Sequence, residues 1–195
     1  MKKIIFILMS FLLLTTDLWS QNKAESQEHH WIIPDYAKVQ FAGNIGYFSG
    51  GFAYQLFKKK LQTEFIYGYV PKKFAHTEIH TLNLKNTFPL LRKQYLGLEF
   101  TPYLGFTFSY ETGRNSFVEL PCQYPSGYYS PNAFHLCFLA GVSAKKNLNP
   151  KYFIKGIECY AEVVSVDSFF WYKLNSRQIK LYQVVSLALG VNFYF

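Results

Sequence analysis

The feature that most constrains this chain is a two-residue alternation near its C-terminus. Val185, Leu187, Leu189, Val191, Phe193 and Phe195 fall on one side of an extended backbone, and Ser186, Ala188, Gly190, Asn192 and Tyr194 on the other. The segment after Tyr95 repeats the scheme. There Leu98, Phe100, Leu104, Phe106 and Phe108 oppose Gly97, Glu99, Thr101, Tyr103, Gly105, Thr107 and Ser109. Successive side chains of a strand point to opposite faces, so each segment reads as a strand with one apolar face. No stretch from residue 37 onward sustains helical spacing.

The same parity runs through the remaining segments. Val39, Phe41, Ile45 and Tyr47 oppose Gln40, Ala42, Asn44 and Gly46, and Ser49-Gly50-Gly51 reads as a tight turn into Phe52, Tyr54 and Leu56. Further strands are expected at 61–70, 77–88, 133–143 and 152–166. The total is about eight, an even number suited to a closed up-and-down barrel. Pro102 lacks the N–H that a strand in a closed sheet must supply, so a local bulge is expected there.

An apolar face is common to soluble and membrane barrels; the other face separates them. Here it carries Gly, Ala, Ser, Thr, Asn and Gln with a few carboxylates, not the Lys, Glu and Asp of a wetted surface. Small polar side chains fit a narrow lumen. Only 16% of the chain is charged, and 20 Phe and 16 Tyr help bring the aromatic share to 20%, whereas about a quarter of a typical soluble domain is charged. The apolar face is therefore read as outward, into lipid. The expected fold is all-β: a closed antiparallel transmembrane barrel over residues 37–195.

Connection lengths agree with this reading. Lys58-Lys59-Lys60, Pro89 to Tyr95 and Lys145 to Lys151 read as short periplasmic turns, and Glu111 to Asn132 and Asp167 to Lys180 as long extracellular loops. Aromatic residues gather near both strand ends. Tyr67, Tyr69, Phe108, Tyr110, Phe134, Phe169 and Trp171 mark one end, and Phe57, Phe88, Tyr95, Tyr152, Phe153 and Phe193 the other. Such girdles suit rings with one wet and one dry side.

The N-terminus implies export. Lys2 and Lys3 precede the apolar run Ile4 to Leu14, and small Ser20 before Gln21 offers a cleavage site. The run falls short of the ~20 apolar residues that a spanning helix needs. Residues 1–20 read as a signal peptide and 21–36 as a periplasmic leader. Cys122, the first cysteine, is far from the cleavage site, which argues against a lipid anchor. Cys122 falls in a polar loop and Cys137 and Cys159 in strands, so no disulfide framework is expected and the strand thiols read as small buried side chains.

The ending Gly190-Val191-Asn192-Phe193-Tyr194-Phe195 resembles the terminal-strand signal of Gram-negative outer-membrane barrels. In those families the barrel-assembly machinery reads this strand, which makes Gly190, Phe193 and Phe195 the candidate assembly signal. The architecture over residues 37–195 resembles the small eight-stranded OmpA- and OmpX-type class. Segments such as FAGNIGYFSGGFAYQLF and EFIYGYVPKK also look like uncharacterised outer-membrane barrels of Bacteroidota. The resemblance implies an outer-membrane location and names no activity.

An eight-stranded barrel has an interior just wide enough for side chains. Gln40, Asn44, Gln62, Glu64, Asn83, Lys85, Glu99, Tyr103, Glu158, Tyr160 and Glu162 are inward by parity. They are expected to form a packed network around Lys85, with Glu64 and Glu99 on the flanking strands, and not a diffusion pore. The alternative reading is enzymatic. Ser109 and His135 are inward on consecutive strands, with Glu158 or Glu162 expected beside His135 from the next. A nucleophile, base and orienting acid would suit acyl transfer in a lipid A-modifying hydrolase or transferase. Against this, no His-x-Ser pair stands on the last strand, where lipid A deacylases carry theirs.

Lys72, Lys73, Arg114, Lys173, Arg177 and Lys180 fall at the outer rim, where they can meet lipopolysaccharide phosphates. The net charge of +8 is not gathered on a helix and no nucleic-acid motif is visible, so nucleic acid is not expected as a partner. His29-His30 point opposite ways in an extended chain and no further ligand completes a metal site, so neither metal nor cofactor is expected. Gly127-Tyr128-Tyr129 among Pro121, Pro125 and Pro131 reads as an irregular exposed loop. The expected protein is a monomeric structural or interaction barrel in contact with outer-membrane lipid.

Overall fold

The computed structural model describes residues 32–113, 116–119, 133–149, 151–166 and 185–195. The expected signal peptide, residues 21–31 of the expected leader with His29 and His30, Cys122 and the segment 127–129 lie outside these residues. So do Arg114, Phe169, Trp171, Lys173, Arg177 and Lys180.

Most of the alternating sequence becomes strand. The elements are β1 (Tyr36–Ala42), β2 (Phe48–Leu56), β3 (Leu61–Val70), a single-turn helix α1 (Lys72–Ala75), β4 (Ile79–Pro89) and β5 (Lys93–Tyr95). They continue with β6 (Leu98–Thr112), β7 (Phe134–Asn147), β8 (Gly156–Val166) and β9 (Ser186–Tyr194). Neighbouring strands pair antiparallel in the order β4-β3-β2-β1-β9-β8-β7-β6, and β4 pairs β6 to close the ring. Eight strands thus form a closed antiparallel barrel, and β5 is a short continuation of β4 along β6. Closure leaves no unpaired edge.

Each strand has one face inside and one outside. Val39, Phe52, Phe65, Leu82, Leu104, Phe108, Phe138, Leu187 and Leu189 are exposed on the outer wall, while Gln40, Glu64, Asn83, Lys85, Thr107, Glu162 and Asn192 are buried within. The barrel is apolar outside and polar inside. The predicted aromatics follow: Tyr67, Phe108 and Phe134 are exposed near one end, and Phe57, Phe88, Tyr95, Tyr152 and Phe153 near the other.

The two ends differ. One carries the compact connections 57–60, 90–97 and 148–155 together with Asp35 and Phe195; this is the turn end. The other carries 43–47, α1 and the links out of β6 and β8; this is the loop end. At the turn end the N–H of Phe195 donates to the carbonyl of Asp35 at 3.1 Å, and the N–H of Gln55 donates to the Asp35 carboxylate at 2.6 Å. The C-terminus is thereby fastened beside the start of β1.

Several expected turns lie elsewhere. Ser49-Gly50-Gly51 is not a turn but part of β2, and the chain reverses over Gly43–Tyr47 with Gly43 at φ 81°. The glycine at 51 serves close approach: a Cβ there would sit 2.0 Å from the Phe65 carbonyl oxygen on β3. Asn44, Ile45 and Tyr47 accordingly leave the strand pattern: Tyr47 packs against Phe41, Phe48 and Phe74, while Asn44 and Ile45 reach across the loop end. Ile45 is buried there, and its carbonyl accepts a hydrogen bond from the Thr81 hydroxyl. Asn44 donates to the Val164 carbonyl at 3.4 Å and accepts from Ser186 at 2.7 Å.

The turn expected over Pro89 to Tyr95 also comes later: Pro89 ends β4, Lys93–Tyr95 pairs with β6 as β5, and the chain reverses at Leu96-Gly97. Pro89 pairs with Tyr103 and Lys93 with Phe100, so the opposing strand holds one residue more than β6 across this gap. The expected bulge therefore lies opposite Pro102, in its partner. The Pro102 carbonyl still accepts from Leu90 N–H at 2.9 Å. Chain slack at Leu91-Arg92 absorbs the bond that proline cannot donate.

Candidate functional site

The middle of the lumen is an alternating row of charges. Lys38 Nζ on β1 lies 2.6 Å from Glu64 Oε2 on β3. Lys85 on β4 stands 3.7 Å from the same oxygen. Its Nζ also donates to both oxygens of Glu162 on β8, at 2.7 and 2.6 Å. All four side chains are buried, two cations against two carboxylates. Removal from water makes each charge costly alone, and pairing with full hydrogen bonding offsets that cost.

Tyrosines complete the network. Tyr36 donates to Glu64 at 2.7 Å and Tyr103 to Glu162 at 2.9 Å. Tyr160 donates to Gln40 at 2.8 Å, and its ring lies 4.2 Å from Lys38 Nζ and 5.3 Å from Lys85 Nζ. Glycine supplies the room for two of these rings. A Cβ at Gly190 would sit 2.3 Å from the Tyr160 hydroxyl, and one at Gly141 2.6 Å from that of Tyr103. Nearer the turn end, Glu158 accepts from Asn192 at 3.0 Å and from the Tyr194 hydroxyl. Lys145 covers the Tyr194 ring with its Nζ 3.3 Å from the centroid.

Of the five predicted lumen residues, Glu64, Lys85 and Glu162 meet in the charge row, and Glu158 is buried nearer the turn end with Asn192 and Tyr194. The fifth, Glu99, is not among them. Lys85 pairs with Thr107 on β6, eight residues from Glu99 and so ~26 Å along the strand. Glu99 lies half-buried at the turn end, 3.8 Å from Arg92. Lys38, which sequence reasoning missed, takes the second cationic place; its parity with Gln40 carried the signal.

The acyl-transfer alternative is not assembled. Ser109 and His135 do pair across β6 and β7. The Ser109 hydroxyl, however, donates to Asn83 at 2.6 Å. Glu162 pairs with Gly141 and Glu158 with Lys145, six and ten residues down β7 from His135, or ~20 and ~33 Å. Each of these carboxylates is engaged in its own contacts. The carboxylate nearest His135 is Glu111, at 3.9 Å, and it accepts from Ser116 at 2.6 Å.

Cys137 points into the lumen and is buried, whereas Cys159 is exposed on the outer wall, which corrects the expectation that both strand thiols are buried. Inward and outward positions alternate along a strand, and Cys159 falls between inward Glu158 and Tyr160. Lys72 and Lys73 are exposed on α1 at the loop end. Among the described residues no group of three or more His, Cys, Asp and Glu side chains gathers as a metal site.

On the outer wall, a groove of about 820 Å³ runs over β2, β3, β4, β6 and β7, with Phe52, Phe65, Leu82, Leu84, Phe108 and Phe134 among its lining. A second, polar recess of about 670 Å³ lies at the loop end, lined by Lys72, His76, Thr77, Glu78, His80 and Thr112.

Compared with known proteins, the chain matches no family model, and no curated protein is significantly similar to it in sequence.

Proposed function

We propose that this chain is an exported outer-membrane β-barrel of a Gram-negative bacterium, with a structural or interaction role and a loop-end rim that contacts lipopolysaccharide. One observation carries the reading: large apolar side chains cover the outside of the barrel while its ion pairs are buried inside. A soluble protein rarely exposes contiguous apolar patches beyond a few hundred Å². In hydrocarbon the same surface is favourable, and a closed barrel satisfies every strand internally.

The remaining parts of the reading have their own support. The Lys38–Glu64–Lys85–Glu162 row and the Tyr103 and Tyr160 rings occupy the space a diffusion pore would need. The closed edge favours a monomer. β9 zips against both β1 and β8, so its Phe195 ending is suited to recognition by the barrel-assembly machinery. Basic residues on α1 favour phosphate contacts at the rim.

Fractionation of expressing cells tests the location. The folded chain is expected in the outer-membrane fraction, with gel mobility that changes on boiling. Recovery as a soluble periplasmic protein would sink the reading.

A further inference from the structure

The apolar groove and the polar recess described above form one continuous surface. On β4, His80 lines the recess and Leu82 the groove, and they share the outward face one pleat apart. On β6, Thr112 and Tyr110 make the same transition. The Tyr67 hydroxyl, at the groove, lies 2.5 Å from Nδ1 of His80, in the recess. This hydrogen bond joins the two parts.

The groove has a local cause. Phe52 and Phe65 stack at 5.6 Å on one flank, and Tyr110 and Phe134 stand 5.0 Å apart on the other. Between them β4 carries Leu82 and Leu84, and at the β2 edge Gly50 contributes no side chain at its outward position. Aromatic ridges therefore enclose a lower floor. Its volume falls in the ~300–1,000 Å³ range of ligand sites.

We infer that this surface binds a single lipid A-type molecule, an acylated sugar phosphate. The acyl chain lies in the groove and the phosphate at Lys72, His76 and His80. The inference rests on the outer-membrane reading, which turns the loop end toward the outer leaflet. Hydrogen-bond donor chemistry selects the occupant, because the formal charges of Lys72 and Glu78 balance and the donors outnumber the one acceptor-only group. The recess sets one lysine, two imidazoles and the hydroxyls of Thr77 and Thr112 against the single carboxylate of Glu78. Lysine and imidazole N–H groups donate to phosphate oxygens. The Glu78 carboxylate accepts only, so it requires a donor on the headgroup, which a sugar hydroxyl supplies.

Native mass spectrometry of the full chain in detergent tests this, with equimolar bis-phosphorylated lipid A, dephosphorylated lipid A and phosphatidylglycerol as probes. One lipid A adduct is expected, with the phosphorylated form favoured about tenfold, the scale of a lost hydrogen bond to a charged group. The double variant Lys72→Glu with His80→Ala should erase that preference. Leu84→Trp, which fills the groove floor, should lower all lipid A adducts. Leu187→Trp, outward on the distant β9, should leave them unchanged. Equal binding of the two lipid A forms, phosphatidylglycerol binding as tightly as lipid A, or an equal loss in Leu187→Trp would each overturn the site. Vesicle insertion measured on the same preparations separates the two levels. A chain that does not insert removes the membrane reading as well, whereas an inserted chain without the preference removes only the lipid site.

Discussion

Lys85 Nζ reaches both carboxylate oxygens of Glu162, at 2.7 and 2.6 Å, across two intervening strands of the barrel. This contact ties β4 to β8 through the lumen, independently of the backbone ladder. Removing the lysine alone leaves Glu162 buried without its cation, a change that typically costs about 3–5 kcal/mol. Lys85→Met is expected to destabilise the barrel by that amount, and Glu162→Gln to be similarly harmful. The double variant should lose less than the sum, because neither charge is then orphaned. Urea unfolding in detergent measures all three, and additive losses would contradict the pairing.

Glycine at 190 and 141 makes a separate prediction. A methyl group at 190 would meet the Tyr160 ring and also approach the Val39 carbonyl oxygen to 2.6 Å. Gly190→Ala should therefore destabilise by about 1–3 kcal/mol, the usual cost of overpacking. Gly156→Ala provides the comparison, since its nearest neighbour is the flexible end of Lys145 at 3.1 Å. Equal losses at the two positions would show that the ring contact is not what the glycine serves.

Faces were legible in the sequence, and heights were not. Period-two parity assigns a side of the wall, so Leu187 against Ala188 and Leu104 against Thr101 came out as the structure has them. Parity is silent on register, which strand pairing and turn geometry decide. That is why Lys85 was matched with Glu99, although its partner is Glu162. It is also why parity admits Glu158 or Glu162 beside His135, from which the register removes both. Lys38 shares the parity of Gln40 but precedes Val39, the first apolar residue from which the alternation is legible. Gly50-Gly51 misled because glycine marks both reversals and close strand approach. The outer groove leaves no trace in the alternation, since it depends on which outward positions carry rings and which carry none.

The apolar wall predicts a penalty that depends on the bilayer. Leu104 is outward near the middle of the long strand β6. An arginine at the lipid-facing midplane costs about 2–4 kcal/mol, falling toward zero near the interfaces. Leu104→Arg should show that loss in lipid vesicles, and Phe153→Arg at the turn end should show little. Reversible unfolding in vesicles checks this. No difference between the two positions would mean that the outer wall does not face hydrocarbon.

Phe195 combines two roles that one deletion probes. Its N–H donates to Asp35, and its ring lies 5.1 Å from that of Phe153. On the proposed outer-membrane reading, deleting Phe195 should reduce the folded, heat-modifiable fraction while leaving export intact. Phe195→Leu keeps the backbone bond and removes the ring. If the aromatic ending is what the assembly machinery recognises, this variant should assemble as poorly as the deletion. Normal assembly of both would leave Phe195 with no role in either fastening or recognition.

A final prediction concerns conduction. Eight strands leave an interior just wide enough for side chains. Here Tyr103 and Tyr160 lie over Gly141 and Gly190, the charge row fills the centre, and Ile45 is buried at the loop end. No stable single-channel conductance is expected from the parent protein in planar bilayers. Replacing both rings, Tyr103→Ala with Tyr160→Ala, removes bulk without removing an ion-pair partner. This variant should admit water and give small cation- or anion-conducting steps. Lys85→Met should remain silent, because it leaves both rings in place. Large, stable conductance from the parent would contradict a packed lumen, and silence of the double tyrosine variant would assign the blockage to the Ile45 segment instead.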